Sequence, residues 1–152
     1  MKKKFFFLFV TLIIIPASIS VAQSNAFLDS LLAQEQASFG KACLLVLSAA
    51  SLVKAEASEA EALQYLANAN WGLSKKAEEP ISLGELCYLL MRCFSLSGGL
   101  MYSLFPGPRY ATRELEFRGL VFDYPIPTRL VSGLEVMQLT GRLLTYLEET
   151  KK

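Results

Sequence analysis

The 152 residues are 53% hydrophobic and 19% charged, which is enough apolar material for one core and too much for a disordered chain. Fifteen basic residues stand against fourteen acidic ones, a balance that gives no electrostatic drive toward nucleic acid. Histidine is absent, so the commonest general base and the commonest zinc ligand are both missing, and no catalytic residue, metal or cofactor is expected.

Lys2, Lys3 and Lys4, the apolar run over 5–15 and the small residues Ser20, Val21 and Ala22 have the layout of a secretory signal peptide over residues 1–22. The apolar run is too short for a helix that must cross about 20 residues of hydrocarbon. Residues 23–152 are then expected to form a single helical domain with no transmembrane segment. Twelve basic and fourteen acidic residues remain in that part.

The next elements read as helices in sequence. Phe27, Leu31 and Leu32 give an amphipathic helix over 25–36, and Ser38 is placed to cap a second running to about residue 53, with Ala42, Leu45, Val46 and Ala49 on one face. Ser58 with Glu61 is a capping box, in which the hydroxyl takes a backbone N–H and the glutamate reaches back to the cap residue. The alanine-rich helix it opens is expected to end near Asn70. The same pairing recurs at Ser82 with Glu85 and at Ser132 with Glu135, before helices ending near residues 94 and 147.

Between those two lies the least helix-like stretch, 97–110, broken by Gly98, Gly99, Pro106, Gly107 and Pro108. Its large side chains need burial, and Met101 and Phe105 are expected to plug the helix cluster. A short helix over 111–118 stops at Gly119, and 124–128 is an extended turn. Residues 120–122 are the one short strand candidate. Of the cysteines, Cys87 and Cys93 fall on different faces of one helix, about 9 Å apart along its axis, which is too far to bridge. Cys43 pairing with Cys87 is one reading, and three small buried apolar side chains is the preferred one.

Aligning Ser38, Ser82 and Ser132 superposes three stretches. Ala42, Leu86 and Val136 coincide, as do Leu45, Leu89 and Leu139, then Ala49, Cys93 and Leu143, and also Cys43, Cys87 and Met137. Each long helix follows a shorter one, which gives repeat units of about 26–53, 57–96 and 110–147. The expected fold is all-α, a compact bundle of five to six helices in three pseudo-repeated pairs whose equivalent faces meet around a pseudo-threefold.

Ile81-Ser82-Leu83-Gly84-Glu85 leading into 86–96, and Tyr110 to Val121 followed by the loop and cap over 125–135, resemble the S-layer homology (SLH) repeat. The resemblance covers about two of the three units. It implies a pseudo-threefold helical module that anchors an exported bacterial protein noncovalently to cell-wall polysaccharide. At the place of the family's ligand-contacting arginine this chain has Phe39, Leu83 and Gly133.

Candidate binding residues are Tyr102, Arg109, Tyr110 and Arg113, where aromatic faces and guanidinium groups fall close together, and the lone tryptophan, Trp71. Arg109 and Arg113 have a structural alternative, ion pairs to Glu85, Glu114 or Glu116. The expected function is a noncatalytic module of the periplasm or cell envelope whose partner is a cell-wall glycan or an envelope protein. A small periplasmic carrier of lipid or another apolar ligand is the alternative.

Overall fold

The computed structural model describes residues 17–151. Among them the chain is all-helical: α1 Ala17–Leu32, α2 Phe39–Ala49, α3 Glu59–Ala69, α4 Leu83–Cys93, α5 Leu100–Leu104, α6 Pro108–Phe117 and α7 Gly133–Thr150. None of these helices is long and apolar enough to cross a membrane. The expected leader falls mainly outside the described residues, and 17–22 belong to α1.

A closed cycle of backbone hydrogen bonds joins the three units. Ala37, Ile81 and Val131 each precede one of the aligned serines, and each is fully buried. Ala37 N–H donates to the Val131 carbonyl (2.8 Å), Val131 N–H to Ile81 (3.3 Å), and Ile81 N–H to Ala37 (2.9 Å). Buried peptide groups must find partners, and here each unit supplies the next one's. A second cycle lies beside the first. The N–H groups of Phe39, Leu83 and Gly133 open their helices without an intrahelical acceptor, and they donate to Glu79 (2.7 Å), Arg129 (2.7 Å) and Gln34 (3.0 Å) of neighbouring loops. Strand structure among the described residues is limited to the isolated bridges Ser38 to Pro80 and Ser82 to Leu130, so the strand expected at 120–122 does not form.

Packing follows the same rotation. α3 lies on α2, α6 on α4, and α1 on α7, so each unit's second helix is covered by the first helix of the unit after it and the last is covered by the first. The expected order of short helix then long holds only in the third unit, since α1 has 16 residues against 11 in α2, and α3 and α4 have 11 each. The core is built from the superposed positions: Ala42, Leu86 and Val136 are all fully buried. Leu89, Leu139, Cys93 and Leu143 are buried as well, whereas Leu45, Ala49 and Met137 are half-buried at the rim. α4 is the most enclosed helix, with only Glu85 and Arg92 partly open.

Local chemistry explains where boundaries differ from expectation. Ser58 and Ser82 form complete capping boxes. Ser38 has the extended backbone of a cap residue but its hydroxyl caps nothing, and Lys41 stands where the other units carry the glutamate that could reach back to the cap N–H. The Gln34 side chain accepts the Ser38 N–H instead, at 2.9 Å. At Ser132 half of the box survives: the hydroxyl accepts the Glu135 N–H, but the Glu135 carboxylate is taken by Arg129 through contacts of 2.6 and 2.9 Å. The second helix ends at Ala49 rather than near residue 53, with Ser51 in the left-handed region. Pro108 starts α6 three residues early, since proline lacks the N–H that a first helical turn would leave unpaired.

The stretch 97–110 is more ordered than its glycines suggest. α5 forms within it, and Glu114 and Arg118 of the α6 region hold the preceding loop through the Gly99 N–H and the Ser97 carbonyl. Met101 and Phe105 do not plug the bundle. They are 50% and 63% exposed, and Tyr102 is the α5 side chain that turns inward. A five-residue helix is too short to bury two faces, and the tyrosine ring takes the inner one. The cysteines are all buried and free.

Candidate functional site

Two grooves occupy equivalent places around the cycle. The first, of about 410 Å³, runs between Phe39, which opens α2, and the end of α3 with its following loop: Leu63, Leu66, Trp71, Leu73 and Lys75. The second, of about 250 Å³, runs between Leu83, which opens α4, and the loop after α6, including Leu120, Phe122 and Asp123, with Glu135, Gln138 and Arg142 of α7 on its far wall. Phe39 and Leu83 stand in the same place after their cap serines, and both donate backbone hydrogen bonds to the loop that completes their groove. The third such place holds Gly133. There the Leu31 carbonyl packs so closely that a Cβ on Gly133 would lie 1.7 Å from its oxygen, which leaves no room for a side chain.

Each groove is bordered by an aromatic residue with a guanidinium over it. Arg92 lies over Trp71 at 5.6 Å and Arg142 over Phe122 at 5.2 Å. The two arginines are themselves equivalent, each ten residues past its cap serine. Trp71 also meets Tyr65 edge-on at 6.1 Å, which fixes the ring at the groove mouth. Left-handed Asn70 and Gly119 end α3 and α6 and turn the chain so that these loops face the grooves.

The ion pairs of the site are also repeated. Lys75 reaches Glu85 at 3.0 Å and the Pro80 carbonyl at 2.7 Å. Burial pushes the Glu85 carboxyl up, but hydrogen bonds from the Ser82 N–H and hydroxyl and from Lys75 outweigh it and hold the group below its ordinary range. Arg129 plays the corresponding part with Glu135, and its hydrogen bonds to that carboxylate bind its proton more tightly.

No protein family model, curated protein or solved structure matches the chain. The arrangement therefore has to be read from its own chemistry. Aromatic faces beside fixed cations and carboxylates, in open grooves, suit a ligand with both apolar ring faces and polar edges.

Of the residues singled out in the sequence, Trp71 lines the first groove. Tyr102 is buried against Tyr88, with ring centroids 6.3 Å apart. Arg109 and Arg113 are exposed on α6 and Tyr110 is half-buried there, and none of the three lines either groove. The ion pairs considered for the two arginines do not form among the described residues: Glu85 is held by Lys75, and Glu114 accepts the Gly99 N–H. Sequence reasoning passed over Lys75, Arg92, Phe122 and Arg142. The available signal for the arginines was their shared offset from Ser82 and Ser132, one of them inside an otherwise apolar run.

Proposed function

We propose that the protein is a noncatalytic binding module of the bacterial cell envelope, an SLH-like three-unit bundle that takes segments of an envelope glycan in its two grooves. The observation that supports this reading is the repetition of one recognition pattern, an aromatic ring with a guanidinium over it beside an ion pair, at two equivalent places. Sugar rings stack on aromatic faces through their C–H groups, and their hydroxyls bond to neighbouring cations and carboxylates. The Phe39, Leu83 and Gly133 positions lack the family's arginine, so in this reading Lys75 and Arg142, which line the grooves, and Arg92, which lies over Trp71 at the border of the first, supply the positive charge. The secretory layout of residues 1–22 is what points to the envelope.

Titration calorimetry against purified envelope polysaccharide tests the proposal, with Trp71→Ala and Phe122→Ala as the groove variants. Each single change is expected to weaken binding about tenfold, and the double change to abolish it. Wild-type protein that binds the polysaccharide no better than an unrelated neutral glucan would overturn the reading, as would undiminished binding by the double variant.

A further inference from the structure

α5 carries an apolar face that no described residue covers. Leu100 and Leu104 lie one turn apart on the side of the helix away from inward-facing Tyr102, and they are 69% and 59% exposed. Met101 and Phe105, exposed as well, widen the face beside them. Apolar side chains scattered singly are ordinary on a surface, whereas a contiguous group of this kind marks a place of contact. No acidic or basic residue occurs between Arg92 and Arg109, so the whole connection from α4 to α6 is free of charge.

The border of the face is cationic. Pro106 and Gly107 join the end of α5 directly to α6, and the Gly99 N–H at its start is held by Glu114 of α6 at 2.8 Å, so α5 lies along α6 and runs the opposite way. Arg109, Arg113 and Phe117 follow at one-turn intervals on the exposed side of α6, next to the flank that carries Glu114. This order sets Arg109 near the Phe105 end of α5 and Arg113 near the Leu100 end. Neither arginine takes part in an ion pair among the described residues. Helical spacing puts Glu116, the other carboxylate of α6, on the far flank from α5.

An uncharged apolar protrusion with guanidinium groups behind it has the chemistry of an interfacial anchor. The acyl boundary of a bilayer takes the leucines, and the phosphates of anionic lipid take the arginines. The chain as a whole is nearly neutral, so the attraction is local to this edge. We infer that the α5 face docks on an anionic lipid surface, with Leu100 and Leu104 entering it and Arg109 and Arg113 on the headgroups. The contact is small and therefore reversible, as a single short anchor is. None of these residues lines the two grooves, so the surface stands whether or not those take a glycan.

Leu104→Cys supplies the probe. The three native cysteines are buried, so an environment-sensitive fluorophore attached at position 104 reports on α5 alone, whatever residues 1–22 do. The labelled full chain is titrated with vesicles of equal parts phosphatidylglycerol and phosphatidylcholine, and with vesicles of phosphatidylcholine only. A saturable blue shift is expected on the anionic vesicles, with binding about tenfold weaker on the neutral ones and in high salt. Added to the labelled chain, Leu100→Ser should weaken the binding about tenfold, and Arg109→Ser with Arg113→Ser by at least as much. Both sets of changes fall on exposed positions and should leave the melting temperature unaltered without lipid. Absence of a blue shift on the anionic vesicles would overturn the proposal, even where the protein sediments with them. Equal affinity for neutral vesicles, or binding unchanged in either variant, would do the same. A blue shift that grows with protein concentration in the absence of vesicles would assign the face to a second copy of the chain and overturn it as well.

Discussion

Replacing Gly133 with alanine tests the closure of the three-unit cycle at its tightest point. The new methyl would lie 1.7 Å from the Leu31 carbonyl oxygen, and the obstacle is backbone that no rotamer change can clear. Restoring contact distance needs α1 and α7 to part by about 1.5 Å. That separation would break the Gly133 N–H to Gln34 bond, now 3.0 Å, and loosen Leu31, which is fully buried. The hydrogen bond is worth about 1 kcal/mol and partial exposure of the leucine another 1–2, a total of about 2–3 kcal/mol. The melting temperature should fall by about 10 °C for a unit of this size. Gly141 on the same helix is the control: it is exposed, and a Cβ there meets nothing within 4 Å. Gly141→Ala should stabilise by about 0.5–1 kcal/mol through helix propensity alone. Urea unfolding followed by circular dichroism measures both. If Gly133→Ala unfolds within about 0.5 kcal/mol of wild type, the close approach of α1 to α7 is not what closes the ring.

Other predictions concern the caps, the core and the thiols. The Glu85 carboxyl is held below its ordinary 4.5, so the folded state binds fewer protons than the unfolded one in the acid range. Its stabilisation is complete above pH 4.5 and is lost as pH falls through the lowered folded value; Glu85→Gln should flatten that acid limb in urea midpoints measured from pH 7 downward. Leu86→Ala, at a fully buried superposed position, should cost about 3 kcal/mol, against under about 1.5 for Met137→Ala at a half-buried one. Burial pushes the Cys87 and Cys93 thiols up to about 12 from 9.0, and Cys43 upward as well. All three should resist a thiol-specific reagent until denaturant is added. Because the unfolded thiols ionise first, stability should decline as pH rises through 9.0, and Cys93→Ser should reduce that decline.

Much of the architecture was legible because it depends on local chemistry. The boxes at Ser58 and Ser82 need only residues three apart, and the superposition of the aligned serines found Ala42, Leu86 and Val136 because equivalent helices bury equivalent positions. Where a side chain from the preceding loop competed, the cap reading failed. Arg129 drew Glu135 away from its cap, and Gln34, just past the end of α1, took the Ser38 N–H. Met101 and Phe105 are as apolar as any core residue, and nothing nearby in the chain tells that Tyr102 takes the inner face of α5. The candidate site was only partly legible for the same reason: Trp71 stands out by type, whereas Arg92 acquires meaning only when Trp71 and Tyr88 close around it.

The sequence by itself determined an all-α chain of three serine-opened units, since helix caps and apolar periodicity act over a few residues. Tertiary structure decided which unit's first helix covers which unit's second, because that is set by the cyclic pairing of Ala37, Ile81 and Val131, residues far apart in the chain. It also decided that two of the junctions would be grooves while the third would be filled by the Leu31 carbonyl against Gly133. Buried peptide groups are costly unpaired and find their partners only in the closed ring, and side-chain volume at one equivalent position sets what each junction leaves open.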